Sequence, residues 1–382
     1  MVSTATLHTS LCDLLGIEHP ILQAPMASVV TPALVAAVSN AGGLGILPGV
    51  MVPPEELRRQ IREIRDQTDR PFGVNLLLHQ VFVSPVDTAG IPEQTVREVQ
   101  STLNGFRRRL GLAEVNDVPP TLPSFVEGAF AVILEEGVPI FSSGLGIPSA
   151  AMVNRCHDRG IRVVAQVATA ADARLAAANG ADVIVAQGAE AGGHRMTGEK
   201  LTDKEFAAIG TLALVPQVVE AVDVPVVAAG GIVNGRGLAA VLMLGAVGGL
   251  IGTRFIACAD SAAQPFHKGA LLQCDGDATA LTDAFTGLYA RCLRNTYLND
   301  YLIAGAPVLP GGVQLAAALD VTAAGAAQGN PEYYPLYAGQ GAGLIHDLPS
   351  AAEIMRSLVE QAVEAITVLP AAIRNPADAS VD

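Results

Sequence analysis

Residues 187–195 read QGAEAGGHR. One imidazole, His194, follows Gly192 and Gly193, with Glu190 and Arg195 close by in the chain. The preceding run, ADVIVAQ at 181–187, has the composition of a buried strand. A glycine-containing turn at a strand end is where barrel enzymes keep their chemistry, and also where any protein keeps solvated loops. Imidazole has an unperturbed pKa near ~6.5 and accepts a proton at neutral pH. His194 is therefore the candidate base or substrate contact, and Arg195 reads equally well as a substrate contact or a loop charge. His8, His19, His79, His157, His267 and His346 lack such a context and read as structural or exposed.

Two further sets of residues could hold a ligand. AAGGIVNGRGLAAVLMLGA (228–246) and GLIGTRF (249–255) put Gly230 and Gly231 at one strand end, Asn234 at a helix start, and Gly252 and Thr253 at the next strand end. Glycines let a backbone approach a ligand, and free N–H groups beside a helix N-terminus bind anions. In many barrels the loops after strands seven and eight hold a phosphate in this way. Tight strand–helix packing would need the same glycines. Asn75 follows PFGV, Gln166 follows RVVA and Gln187 follows ADVIVA, at equivalent inward strand ends. Buried amides need partners. The heteroatom edge of a planar cofactor would supply them, as would neighbouring strands.

The elements that must position these residues are eight short apolar runs: 20–25, 43–47, 71–77, 138–143, 162–167, 181–187, 224–230 and 248–253. Ala- and Leu-rich helical segments lie between them, opened by Pro or Thr and closed by Gly or Asn. Apolar runs without polar alternation fit a parallel sheet buried on both faces. Eight strand–helix units predict an α/β fold, a (β/α)₈ TIM barrel. A doubly wound open sheet is the alternative, but no G-x-G-x-x-G with a following acid succeeds the first strand. The predicted barrel spans 12–274, with an excursion at about 78–123 carrying a helix between Pro-rich loops. A helical and loop segment, 275–350, covers the mouth, and an amphipathic last helix, 351–370, packs on the barrel.

The chain has 382 residues, 50% of them hydrophobic and 16% charged, which supports a substantial core. No stretch nears the ~20 apolar residues of a membrane helix. A net charge of −14 argues against nucleic acid or an anionic membrane as partner. Any anionic ligand must then be held by local devices such as backbone amides. The five scattered cysteines form no C-x-x-C pair, so neither a disulfide framework nor a zinc pattern is present, and a reducing cytoplasm is the simplest location. Apolar helices and the 275–350 segment leave room for a homodimer.

Taken together, QAPM (23–26), NAGGLGIL (40–47), PFGVNL (71–76), QGAEAGGH (187–194), AAGGIVNGRG (228–237), IGTRF (251–255) and YAGQGAG (337–343) resemble the nitronate monooxygenase family, formerly 2-nitropropane dioxygenase. The resemblance covers roughly residues 12–350. It implies an FMN-dependent barrel enzyme that oxidises alkyl nitronates, and nitroalkanes in some cases, with dioxygen to a carbonyl compound and nitrite. FMN would lie across the mouth of the barrel. Carried over by motif, Pro25 and Met26 would line it, and Asn75, Gln187 and Gly192 would contact it; Gln166, outside these motifs, joins them as a cofactor contact by its strand-end position. Gly230, Gly231, Leu250, Ile251, Gly252 and Thr253 would hold its phosphate. His194 matches the family histidine near the flavin ring. It would take the α-proton of a neutral nitroalkane or orient an anionic nitronate.

The chain departs from the family pattern at FSSGLGIPS (141–149), where Ser143 replaces an expected Phe, and at Arg195-Met196-Thr197, which replaces R-G after the histidine. Flavin-dependent enoyl-thioester and NADH:quinone reductases share QGAEAGGH-like and GGI-x-x-GR stretches, so a NAD(P)H-dependent reductase is the alternative. A barrel of the IMP-dehydrogenase type would need a nucleophilic cysteine, and Cys258 lies beyond the eighth-strand turn. A flavin-holding protein without activity is disfavoured by the retained His194.

Overall fold

The computed structural model describes residues 6–84, 86–196 and 208–372. The eight apolar runs form β1 (Ile21–Gln23), β2 (Gly45–Pro48), β3 (Phe72–Leu77), β4 (Ile140–Gly144), β5 (Arg162–Val167), β6 (Val183–Gln187) and, after the two-residue β7 (Gly193–His194), β8 (Val226–Ala229) and β9 (Gly248–Ile251). The eight pair in parallel in the order β1-β9-β8-β6-β5-β4-β3-β2. A parallel bridge between Leu22 and Leu44 joins the two ends. There the Gln23 N–H donates to the Leu44 carbonyl and the Leu44 N–H to the Ile21 carbonyl, each at 2.9 Å. The sheet is thus a closed (β/α)₈ barrel, and the open doubly wound alternative falls.

Both faces of the strands are apolar because both are covered. Leu22, Ile46, Ile140, Val164, Val185, Val227 and Leu250 form one inner cluster. Ile21, Val74, Phe141, Val163, Ile184 and Ile251 pack outward against the helices. Leu11, Cys12 and Leu15 of the helix Ser10–Leu15 join the inner cluster. Gly248 makes room for this plug, since a Cβ there would stand 2.6 Å from Leu11 Cδ2. The strands' N-terminal end is therefore filled, and chemistry is left to the other end. Side chains of Thr31, Ser149, Thr169 and Asn234 cap the helices that follow four of the strands.

The second structural unit joins two segments that the sequence keeps far apart. The excursion folds as a long helix, Glu93–Leu110, which packs with Thr296–Ala304 and Val313–Ala327. Leu103, Phe106, Tyr297, Tyr301 and Val321 form their common core. Arg107, 1% exposed, binds them: its five N–H donors reach both carboxylate oxygens of Asp320, Gln100 Oε1, Asn104 Oδ1 and the Ala317 carbonyl at 2.7–3.1 Å. The 275–350 segment also holds a hairpin, β10 (Thr279–Thr282) and β11 (Ala290–Leu293). It carries no period-2 alternation long enough to announce a strand in the sequence. β11 pairs antiparallel with β7, placing Ala290 opposite His194. The last helix, Ala351–Ala372, packs on Gly235–Met243 and Pro32–Asn40. A Cβ on Gly235 would stand 2.4 Å from the Ala362 nitrogen. Among the described residues no helix is long and apolar enough to cross a membrane, and all five cysteines are free.

Arg107→Ala would remove the donor shared by Gln100 Oε1, Asn104 Oδ1 and the Ala317 carbonyl and leave the Asp320 carboxylate without its partner. Urea unfolding should show a loss of about 3 kcal/mol. Arg97→Ala, on the exposed face of the same helix, should stay within about 0.5 kcal/mol of the parent.

Candidate active site

The open end of the barrel is lined by a polar layer one inward position beyond the apolar one. Asn75, Ser142 and Gln166 are each 3% exposed or less. Register places Asn75 beside Ser142 on adjacent strands. The Ser142 hydroxyl accepts from Asn75 Nδ2 at 3.0 Å and from Gln166 Nε2 at 3.4 Å. One hydroxyl thus orients two amides, and their carbonyl oxygens have no protein partner among the described residues. Ser143 points the other way, and its buried hydroxyl has no partner among the described residues. The helix at 150 is capped by Ser149.

Gln187 has a different job. Its Nε2 donates to the His194 carbonyl at 3.0 Å, and its Oε1 accepts from the Met196 N–H at 2.9 Å. It braces the loop that carries the histidine. Arg195, 2% exposed, braces the same loop from behind. Its Nη1 and Nη2 donate to the carbonyls of Gly188 and Gln187 at 2.6 and 2.9 Å. Burial, with Arg291 nearby, pushes the guanidinium down to about 10. Arg195 is thus a clamp on the end of β6. Glu190 accepts from the Thr211 N–H at 2.8 Å and its hydroxyl at 2.9 Å, holding the start of the helix Thr211–Val219. Thr197 lies outside the described residues.

His194 sits half-buried on β7. Its Nε2 is 2.9 Å from Thr286 Oγ1, and its ring centroid is 5.6 Å from that of Tyr337. Burial pushes its pKa down to about 4, so the imidazole is neutral at pH 7. Thr286 comes from the β10–β11 turn, 92 positions away, and no sequence signal marks it. Tyr337 lies in the YAGQGAG motif, but its place beside His194 follows only from the fold.

The segment 337–343 ties the loops of the mouth together. The Gly339 N–H donates to Thr253 Oγ1 at 3.0 Å, and the Gln340 N–H to the Glu190 carbonyl at 2.9 Å. A Cβ on Gly192 would stand 2.5 Å from the Ala338 carbonyl carbon, and one on Gly339 2.6 Å from the Glu190 oxygen. Gly230, at φ +108°, backs onto the 188–191 loop in the same way. Gly192 is thus packed on backbone, and Gly230 on the Thr211 hydroxyl, 2.9 Å from an added Cβ, with main chain at 3.1 Å behind it. Gly231, at φ +74°, and Gly252 meet no protein atom within 3.4 Å of an added Cβ. The N–H groups of Gly231 and Ile232 donate to nothing among the described residues. The space beyond Gly252 is flanked by Ala24 and by Met26 Sδ, so Met26 lies on this rim, with Pro25 next to it in the chain. Leu250 points into the barrel and Ile251 out of it, so Ile251 could meet a ligand only through its main chain. Free amides, small residues and paired amide oxygens on one mouth fit a planar heteroaromatic ring with a phosphate tail. Cys258 is fully buried and burial pushes its thiol up to about 11, which suits no nucleophile.

A closed parallel barrel with glycine loops over β8 and β9 and a braced histidine over the mouth defines the α/β-barrel class, with a candidate cofactor site at its open end. Residues 8–361 match the family described as nitronate monooxygenase. The chain is 41% identical over 356 residues to the nitronate monooxygenase of Pseudomonas aeruginosa, covering 91% of this chain and 97% of that one. It is 35% identical over 361 residues to a probable nitronate monooxygenase of Staphylococcus saprophyticus, covering 94% and 98%. Among solved structures it is similar to a nitroalkane oxidase from Streptomyces ansochromogenes, with TM-score 0.84, 35% identity and coverage of 94% and 100%. FabK from Thermotoga maritima matches with TM-score 0.74, 30% identity and coverage of 96% and 100%. The chain belongs to the nitronate monooxygenase family and is an oxidoreductase.

Gly192→Ala tests the backbone contact at residue 338. Its Cβ can be accommodated only by moving main chain, so thermal unfolding should show a loss well above that of Gly111→Ala. Gly111 sits at φ +73° with open space around it and carries only the left-handed penalty of about 1 kcal/mol.

Proposed function

We propose that the protein binds FMN across the barrel mouth and oxidises alkyl nitronates with dioxygen to a carbonyl compound and nitrite. The observation that carries this reading is a neutral imidazole, held by Thr286 and the Gln187-braced loop, at a mouth whose floor offers Asn75 and Gln166. The N–H groups of Gly231 and Ile232 and the 250–253 turn would hold the phosphate with backbone dipoles, a local device suited to a chain of net charge −14. Asn75 and Gln166 would meet the ring edge, and Pro25 and Met26 would flank it. Such a flavin supplies the electron transfer between nitronate and dioxygen.

The chain's own contribution is position and a proton acceptor. With a neutral nitroalkane, His194 takes the proton from the α-carbon, and the electron pair moves onto the nitro group. The resulting imidazolium stands beside the anion it has made. A nitronate arrives already deprotonated, so His194 only orients it. The QGAEAGGH (187–194) and GGIVNGR (230–236) stretches, which resemble those of flavin-dependent reductases, support a second reading, a NAD(P)H-dependent flavin reductase on the same barrel. In that case His194 would have no carbon acid to deprotonate.

His194→Asn keeps a polar side chain and removes the base. Turnover of neutral nitroalkane should fall by about 10²–10⁴ in kcat/KM, with preformed nitronate within about threefold. Equal losses on both would remove the base assignment. In the parent, only the neutral imidazole is active and burial lowers its pKa. Initial rates with neutral nitroalkane should therefore persist below pH 6.5 and fall as the pH drops through about 4.

A further inference from the structure

The Thr286 hydroxyl has three neighbours. It lies 2.9 Å from His194 Nε2, 3.1 Å from the Leu288 carbonyl and 3.3 Å from the Leu288 N–H. A hydroxyl has one hydrogen and two lone pairs. The Leu288 N–H can only donate, so it takes one lone pair. The Leu288 carbonyl can only accept, so it takes the hydrogen. The remaining lone pair faces Nε2, and that contact is a hydrogen bond only if Nε2 carries the proton. The reverse assignment would leave the Leu288 carbonyl without a partner beside a residue that is 6% exposed. Thr286 is itself fixed: its N–H and that of Gly287, at φ +76°, both donate to the Asp283 carbonyl. Across the ring, Nδ1 has no partner among the described residues.

We propose that Thr286 is a positioning residue that holds neutral His194 as the Nε2–H tautomer, making Nδ1 the atom that receives the substrate proton. The claim on Nδ1 rests on the proposed function; the claim on the tautomer does not. In the step itself the α-carbon–hydrogen bond breaks, an Nδ1–H bond forms, and the pair from the broken bond moves into the carbon–nitrogen bond, placing the negative charge on the nitro oxygens. Titratable groups on the packed elements are Glu190 and Arg195 on the histidine's own loop, Arg291 on β11, Asp283 on the Thr286 turn, and Tyr337.

The test is nitrogen NMR of the flavin-loaded full chain labelled at histidine, with the His194 signals assigned by their loss in His194→Asn. The parent should show a hydrogen-bearing Nε2 and a bare Nδ1 at pH 7. Thr286→Ser should keep this pattern, and Thr286→Val should lose it. A bare Nε2 in the parent, or an unchanged pattern in Thr286→Val, would overturn the proposal. In kinetics, Thr286→Val should lose about tenfold or more in kcat/KM on neutral nitroalkane but stay within about threefold on preformed nitronate, with Thr286→Ser near the parent. Equal losses on both substrates would overturn it. If neither substrate is turned over by the parent, the proposed function fails and the NMR pattern alone decides the role of Thr286.

Discussion

Backbone packed on backbone governs this mouth. Residues 188–192 lie against 338–341 at distances that leave no place for a Cβ on Gly192 or Gly339, and Gly341 rests on the Gly231 carbonyl. Three loops from β6, β8 and β9 are thereby referenced to one strand of chain rather than to each other. Side chains could not do this as well, because rotamers and volume would intervene between the main chains. The free N–H groups of Gly231 and Ile232 and the position of Thr253 both depend on that contact. So does β7, because β11, which pairs with it, is bridged at Cys292 to Tyr337, and the Arg291 carbonyl accepts from the Ala338 N–H.

The chemistry is arranged by neutral groups. Both arginines near the histidine loop are engaged with carbonyls: Arg195 with Gly188 and Gln187, and Arg291 with Ala189. The inner mouth is left with amides, a serine hydroxyl, backbone N–H groups and an uncharged imidazole. Burial suits this composition, because neutral polar groups with partners lose little on leaving water whereas charges lose much. On the proposed function, the burial that lowers the His194 pKa would also strengthen the attraction between its protonated ring and an anion formed beside it. An acidic chain can hold an anionic ligand under these conditions because the local dipoles, not the net charge, face it.

The strands and the barrel were legible because each apolar run is flanked by Gly or Pro and both faces of a closed sheet are buried. Residues 162–167 coincide with β5, and the other seven runs differ from their strands only at the ends. Asn75, Gln166 and Gln187 were legible as inward polar positions because strand parity is strict. Their separate roles were not, since the hydrogen bonds of Gln187 depend on a loop conformation that parity does not encode. The hairpin β10–β11 was hidden because four-residue strands in an Ala- and Gly-rich stretch carry no period. Thr286 and the Arg107–Asp320 pair were hidden for a different reason: each depends on contacts between segments 92 and 213 residues apart. The glycine motifs were legible as close approaches, but only the structure separates Gly192 and Gly230, which face packed protein atoms, from Gly231 and Gly252, which face the open rim.

The central claim is that this mouth delivers electrons from a nitronate to a bound flavin. The most direct measurement is anaerobic: add propionate 3-nitronate and NADH in separate cuvettes and follow the visible flavin absorbance. Loss of the oxidised-flavin band with the nitronate, and a stable band with NADH, is the result this account predicts. Rapid bleaching by NADH with no response to the nitronate would contradict it and place the protein with the nicotinamide-fed reductases.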